Sequence, residues 1–214
     1  MLSDSQLRPA SELLKTILFF NQKGWSPATS TNYSVRSQKP TEFIISRSGV
    51  DKGQFTLEDF IVINPAGDIL PPFNRPGIKS SAETEIHTYL YKTFPDVNCV
   101  LHTHSVMGTV LSYALASEKK LNFEGFEIQK GLEGNSTHAV QTMLPIVPNS
   151  QKMTDIIKNI EPYLTGEQRI HGFLIAGHGL YTWGKDIATT KRQIETYEFL
   201  FDCFYNLRRL SWPS

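Results

Sequence analysis

The sequence has no excess of charge of either sign, few cysteines, no long apolar run and no internal repeat. Lysine plus arginine equals aspartate plus glutamate, at 21 each, so nothing indicates a surface for nucleic acid or for an anionic membrane. The two cysteines, Cys99 and Cys203, make no disulfide framework and favour a reduced, cytoplasmic setting. No apolar stretch is long enough to span a bilayer, and the N-terminal residues lack a signal-peptide pattern.

The chain is long enough to form one α/β domain with a well-filled core, which we predict over residues 1–214. Early short strands joined by tight turns favour antiparallel pairing, and later helices can cover both faces of the sheet. We therefore expect three α/β/α layers around a mixed or largely antiparallel sheet. Hydrophobic spacing predicts helices near residues 5–23, 82–93, 106–117, 151–164 and 187–210, and strands near residues 33–36, 43–46, 60–63, 69, 99–104, 139–147, 173–176 and 180–183.

A histidine pair ends one of the apolar strands. His102 and His104 are two residues apart, so on a strand their side chains point to the same face. His178 lies between two glycines, which permit a tight turn and close backbone approach. We interpret the three histidines as ligands of one metal ion, with an open position for substrate. The alternative is a pair of core histidines that only form hydrogen bonds, an arrangement disfavoured by the apolar flanking residues.

Three neutral nitrogen ligands suit a catalytic ion that polarises a carbonyl group. Zinc is the first choice by ligand type, with manganese, iron and cobalt as alternatives. The remaining histidines carry no comparable pattern and are interpreted as structural or surface residues, namely His87, His138 and His171.

Two glutamates are candidates for proton transfer. Glu127 lies in a short apolar stretch with Phe123 and Phe126, where desolvation would raise its pKa toward neutrality. Its alternative role is that of a solvated loop carboxylate. Glu83 precedes a predicted helix, where a carboxylate commonly complements the helix dipole. Its functional role would be a fourth metal ligand or a second acid–base group.

Polar loops at strand and helix ends suggest a site for a phosphate group. Ser80 and Ser81 immediately precede a helix start, where backbone N–H groups bind anions, and Lys79 could add charge. Further polar loops lie at residues 29–32 and at Ser48 and Gly49. Each signal is weak alone, but beside a metal site together they favour a phosphorylated small molecule.

Nearly the whole chain, from about Leu7 to Leu210, resembles the class II aldolase and adducin family. Three segments resemble a branch of this family that removes water from a phosphorylated ketose rather than cleaving it, namely residues 24–30, 126–131 and 172–184. The broader resemblance is carried by Ala-Thr-Ser-Thr-Asn-Tyr-Ser-Val-Arg at residues 28–36, by Lys-Ser-Ser-Ala-Glu-Thr-Glu-Ile-His at 79–87, by His-Thr-His-Ser at 102–105 and by Gly-His-Gly at 177–179.

The resemblance implies roles for these residues. It implies a zinc-dependent lyase with one ion per subunit, in a homotetramer whose sites lie at subunit interfaces. Glu127 would be the acid–base residue and Glu83 would act at the metal. Many relatives have glycine where this chain has Thr31. The implied metal ligands are His102, His104 and His178, and the implied phosphate-binding residues are Asn32, Ser48, Gly49, Ser80 and Ser81, with Lys79 adding charge.

Two alternatives stay open at this point. The same scaffold and metal serve sugar-phosphate aldolases and 4-epimerases, so the metal alone does not decide the reaction. An adducin-like interaction domain without catalysis is the alternative of a different class. Such a domain has no need of three metal-binding histidines, and their joint presence argues against it.

Overall fold

A computed structural model describes residues 1–211; residues 212–214 of the predicted domain lie outside the described part. The elements follow the hydrophobic spacing closely. The first helix begins after Ser3, which caps it together with Gln6, and it buries Leu13, Ile17 and Phe20. The helices are α1 (Asp4–Gln22), α2 (Thr84–Thr93), α3 (Val106–Ala114), α4 (Met153–Leu164) and α5 (Ile187–Ser211).

Eight strands form one sheet in the order β3-β2-β1-β4-β8-β7-β6-β5. Neighbouring strands pair antiparallel except β6 and β7, which are parallel. The prediction of a largely antiparallel sheet is therefore confirmed. The strands are β1 (Asn32–Arg36), β2 (Phe43–Ser46), β3 (Phe60–Ile63), β4 (Cys99–Thr103), β5 (Lys120–Phe123), β6 (Thr142–Val147), β7 (Gly172–Ile175) and β8 (Gly179–Gly184).

Helices cover both faces of the sheet, as the three-layer prediction requires. One buried cluster joins strand residues to α1, α3 and α5, and a second joins the opposite strand faces to α2 and α4. Most strands are therefore buried on both sides, which explains why they appear as continuous apolar runs in the sequence. In the described part of the chain, none of the helices has the length and apolarity needed to cross a bilayer.

The structure corrects the prediction in the middle of the chain. The predicted helix 106–117 ends at Ala114, a short 3₁₀ turn follows, and Lys119 takes a left-handed conformation with φ 59°. This reversal starts β5, a strand that the sequence analysis missed because only two of its four residues are buried. The strand near Ile69 is a single bridge to Ile63, and β6 starts only at Thr142.

The pairing of three central strands places several candidate functional residues at one edge of the sheet. His102, near the end of β4, lies opposite Asn32 at the start of β1 and opposite Tyr181 near the start of β8. β2 ends at the same edge, because it runs antiparallel to β1. The loops after β2 and between β7 and β8 therefore flank the histidine pair.

Candidate metal centre

The three predicted histidine ligands converge at this edge. Nε2 of His102 lies 2.7 Å from Nε2 of His104 and 3.3 Å from Nε2 of His178. One potential ligand atom from each residue lies within 4.8 Å of the others. Two of the histidines come from β4 and the residue after it, and the third comes from the β7–β8 turn.

His102 is fully buried and its ring orientation is fixed. Its Nδ1 lies 3.0 Å from the carbonyl oxygen of Leu180 on the neighbouring strand. A carbonyl oxygen only accepts hydrogen bonds, so Nδ1 carries the proton and the lone pair belongs to Nε2. Nε2 faces the other two histidines, which is the orientation a metal ligand needs.

Glycine is required on the C-terminal side of His178. A Cβ on Gly179 would lie 2.1 Å from the carbonyl oxygen of Thr103 and 2.9 Å from the ring of His104. On the other side, Gly177 has φ 63°, a left-handed conformation. The two glycines thus allow the turn to approach the end of β4 closely, as the sequence analysis predicted.

The environment keeps two of the histidines neutral. Burial lowers the pKa of His102 to about 4, although the charge of Glu83 opposes this shift. Burial, with the neighbouring His102 and His178, lowers the pKa of His104 to about 2. Both side chains therefore offer neutral nitrogen lone pairs at pH 7, the form in which histidine binds metals.

Glu83 contacts two of the three histidines through different carboxylate oxygens. Oε1 lies 3.1 Å from Nε2 of His178, and Oε2 lies 3.3 Å from Nε2 of His102. Burial alone would raise its pKa, but the interactions with His102 and His178 outweigh that effect and hold the pKa well below its usual range. Glu83 occupies the N-cap position of α2 without forming a side-chain capping bond. Its carboxylate is turned toward the histidines.

A hydrogen-bond network behind Glu83 includes residues that the sequence analysis missed. Asn32 donates to Oε2 of Glu83 at 2.8 Å, and the hydroxyl of Tyr181 donates to the same oxygen. His87 is buried and hydrogen-bonds both Asn32 and the hydroxyl of Ser34. The register of β4 with β8 is what places Tyr181 here, and no local pattern in the sequence reveals that register.

The donor set fits a divalent metal ion. The histidine nitrogens converge on one point, and an ionised carboxylate in contact with them would offset part of the ion's charge. The three histidines therefore form a candidate metal centre with Glu83 at its side.

The predicted phosphate-binding residues lie in loops that meet beside this centre. Asn32 donates weakly to the hydroxyl of Ser81, at 3.3 Å. The backbone N–H of Ser48 donates to the carbonyl oxygen of Lys79, at 3.0 Å, and so joins two of the loops. Ser48, Gly49 and Lys79 are exposed to solvent, while Ser80 and Ser81 are half-buried.

Thr31 adopts a backbone conformation that suits glycine. Its φ is 72°, in the left-handed region that a β-branched residue rarely occupies. This is the position at which many relatives were expected to have glycine. The loop before Asn32 therefore holds Thr31 in a conformation that glycine would adopt more readily.

An apolar cavity of about 380 Å³ opens on the other side of the centre. Both His104 and His178 line it, and most of its remaining surface comes from the helix α3. The other lining residues are Pro27, Val106, Thr109, Val110 and Gly177.

Glu127 does not lie in the environment that the sequence analysis predicted. Its side chain is 68% exposed at the start of a 3₁₀ helix, and it forms ion pairs with Lys130 and His138. The hydrogen bond from Lys130 lowers its pKa, so the expected upward shift is wrong. Phe123 points into the core, which leaves the carboxylate in solvent. Within the described residues, Glu127 has no contact with the three histidines.

The chain belongs to the family described as the class II aldolase and adducin N-terminal domain, whose model matches residues 11–205. The protein is an enzyme of this family, with a mixed α/β fold.

Several relatives carry the same name. The chain is 46% identical to the methylthioribulose-1-phosphate dehydratase of Picosynechococcus sp., over 94% of this chain and 93% of the relative. It is 44% identical to the enzyme of that name from Pseudomonas syringae pv. tomato, over 93% and 95% of the two chains. The corresponding Enterobacter enzyme is 41% identical, over 94% and 95%.

Solved structures share the fold at much lower identity. An L-fuculose 1-phosphate aldolase superimposes with a TM-score of 0.78 and 17% identity, covering 100% of this chain and 91% of the other. The L-fuculose-1-phosphate aldolase of Thermus thermophilus gives a TM-score of 0.73 and 20% identity, with 97% and 99% covered. These likenesses establish the class II aldolase fold and not the reaction.

Proposed function

We propose that the protein removes water from 5-methylthioribulose 1-phosphate and forms 2,3-diketo-5-methylthiopentyl 1-phosphate, a step of methionine salvage. The observation that carries the proposal is the convergence of His102, His104 and His178 with Glu83, in a chain 41–46% identical to enzymes named for this reaction. The aldolases of the same fold are 17–20% identical and support the fold alone.

The ion is zinc, one per subunit, held by His102, His104 and His178. Neutral imidazoles and an open position are typical of catalytic zinc. When bound, the ion acts as a Lewis acid toward the substrate ketone and makes the adjacent C3–H more acidic. Glu83 stays ionised beside the ligands, because Asn32 and Tyr181 both donate hydrogen bonds to it.

Proton transfer falls to Glu127. Its carboxylate takes the proton from C3, the electron pair forms the C3–C4 double bond, and the C4–O bond breaks. The departing hydroxyl receives a proton from the glutamate or from water and leaves as water. The resulting C3–C4 enol then loses the proton of its C3 hydroxyl and gains one at C4, which gives the 2,3-diketone. An ionised carboxylate is the form this base needs, and the lowered pKa of Glu127 supplies it at neutral pH.

In this proposal a second copy of the chain brings Glu127 to the metal centre. Its carboxylate projects into solvent and, within the described part of its own chain, contacts none of His102, His104 and His178. The metal centre, in turn, opens beside exposed apolar side chains on α3, where Val106 is 75% and Tyr113 is 78% exposed. A homotetramer in which one subunit covers this face and delivers Glu127 to its neighbour accounts for both observations.

The two ends of the substrate match the two sides of the centre. The loops that hold Ser48, Gly49, Ser80 and Ser81 offer hydroxyls and backbone N–H groups to the phosphate. The cavity beside His104 and His178 is mostly apolar and suits the methylthio group. The proposed compartment is the cytoplasm, whose reducing conditions match the two free cysteines, Cys99 and Cys203.

A substrate panel tests the proposal against the related reactions. Purified protein of known zinc content is incubated with methylthioribulose 1-phosphate and, separately, with ribulose and fuculose phosphates. Loss of water from the methylthio substrate without fragmentation supports the dehydratase. Faster cleavage or epimerisation of the other sugars indicates the aldolase or epimerase alternative. A pure, folded protein that binds no metal indicates a non-catalytic, adducin-like domain.

A further inference from the structure

Lys52 is a buried lysine that neither the metal centre nor the proton transfer uses. Only 1% of its surface is exposed. Its Nζ donates to the carbonyl oxygen of Val50 at 3.0 Å and lies 5.5 Å from the centre of the Phe55 ring. None of the ion pairs found among residues 1–211 includes it.

A buried ammonium group with one strong acceptor is poorly compensated. It has three N–H donors, and loss of hydration penalises the charged form. Burial accordingly lowers the pKa of Lys52 to about 8, although Asp51 and Asp59 act in the opposite direction. Asp59 itself is bound to Arg47 at 2.7 Å. At pH 7 Lys52 remains mostly charged, so the fold retains a positive charge that forms no ion pair among residues 1–211.

The position of Lys52 relates this charge to the loops beside the metal centre. Its backbone N–H points to the carbonyl oxygen of Ala28 at 3.4 Å, in the loop before β1. Its side chain returns to Val50, directly after Ser48 and Gly49. The ammonium group thus lies beneath the loop that follows β2, where that loop meets the one before β1. Its charge also acts on His104, so it lies within electrostatic range of the centre.

We propose that the Lys52 ammonium is the fixed counter-charge of a phosphate monoester bound at the Ser48–Gly49 loop, and that it positions this loop for the anion. The proposal rests on the proposed function for its sugar-phosphate substrate. Lys79, the lysine singled out in the sequence, has an exposed side chain whose charge is already hydrated. A buried cation gains more from a dianion than an exposed one does, because less water screens the interaction.

Two substitutions separate the charge of Lys52 from its hydrogen bond. Lys52→Met keeps the apolar stem and removes both, whereas Lys52→Gln removes the charge and keeps a donor for Val50. The matched control is Lys15→Met, an exposed lysine on α1. Each zinc-loaded protein is titrated with inorganic phosphate by calorimetry, its unfolding midpoint is measured without phosphate, and kcat and KM are determined with the methylthio substrate.

The proposal predicts that both Lys52 variants bind phosphate at least about tenfold more weakly, with KM raised more than kcat is lowered. It also predicts that Lys52→Met unfolds at the same or a higher temperature without phosphate, because an uncompensated buried charge has been removed. Lys15→Met should match the parent protein in all three measurements.

Unchanged phosphate affinity in Lys52→Gln overturns the proposal, and so does a parent protein that binds no phosphate. A purely structural lysine would give a large fall in the unfolding midpoint of Lys52→Met with normal phosphate affinity in Lys52→Gln. The phosphate titration involves no turnover. A protein that fails to dehydrate the methylthio substrate therefore refutes the proposed function and leaves the test of Lys52 intact.

Discussion

Oε1 of Glu83 lies 3.1 Å from Nε2 of His178, although one residue precedes α2 and the other lies in the β7–β8 turn. The contact exists because β8 is next to β4, and β4 is next to β1, in the sheet. Asn32 and Tyr181, from β1 and β8, hold the same carboxylate from its other side. A negative charge is thereby fixed against the three imidazoles, and this arrangement is suited to a divalent cation.

Removal of one histidine should release the metal. We expect His104→Ala to retain its fold and lose most of its bound zinc, because two imidazoles remain where three converge. Elemental analysis of the dialysed protein measures the loss. His138→Ala, a substitution of an exposed histidine outside the cluster, should keep full occupancy. Full occupancy in His104→Ala would contradict the ligand assignment.

Glu127→Gln should bind zinc normally and fold normally but lose at least about a hundredfold in kcat, the low end for loss of a general base. The side chain is exposed, so the substitution has little effect on packing. Steady-state kinetics with matched zinc contents checks the prediction. Glu124→Gln changes an exposed carboxylate on the same loop and should remain active. Near-normal turnover in Glu127→Gln would remove this residue from the role.

Mixing two inactive variants tests whether Glu127 acts across subunits. One site needs the histidines of one chain and the glutamate of another, so His104→Ala and Glu127→Gln damage different halves of it. After unfolding and refolding together in equal amounts, random assembly should restore roughly a quarter of the parent activity. The two variants refolded separately are the control. A mixture with no more activity than the separate variants would indicate that each site is built within one chain.

Glu198 should make stability depend on pH. Burial raises the pKa of this carboxyl to about 8, with a further rise from Asp202 and a partial offset by Ser105. One of its oxygens is buried without a hydrogen-bond partner, and the cavity that it lines also contains Lys23 and Glu195. The folded protein therefore binds more protons than the unfolded chain between pH 4.5 and about 8. The free energy of unfolding is therefore highest at low pH, where Glu198 is protonated. It falls as the pH rises through this window, by up to about 1.4 kcal/mol per pH unit.

Glu198→Gln removes this titration. Denaturant unfolding at pH 5, 6.5 and 8 should show the variant gaining stability relative to the parent protein as the pH increases. Glu195→Gln, on the same helix but exposed, should follow the parent at each pH. A constant difference between Glu198→Gln and the parent across the three pH values would show that Glu198 is not protonated in the fold.

The sequence was sufficient where function depends on local periodicity. His102 and His104 could be assigned to one strand face from their spacing, and the glycines around His178 indicated a tight turn. Thr31 also held a position at which glycine was expected, and its φ of 72° gives the physical reason for that expectation.

The sequence was insufficient where function depends on which strands are neighbours. The role of Tyr181 follows from its pairing with His102, and no local pattern predicts that pairing. Glu127 was placed in an apolar environment because of its phenylalanine neighbours, but Phe123 faces the core while Glu127 faces solvent. These two residues are only four positions apart, but β5 ends at Phe123 and the chain then turns, so their environments differ.

The most direct test of the central claim is to follow 5-methylthioribulose 1-phosphate by carbon NMR with the zinc-loaded protein. We predict that the C4 hydroxyl is lost and that two carbonyl signals appear at C2 and C3 of an intact five-carbon chain. Cleavage between C3 and C4, giving dihydroxyacetone phosphate and methylthioacetaldehyde, would contradict the account, as would a substrate that the zinc-loaded protein leaves unchanged.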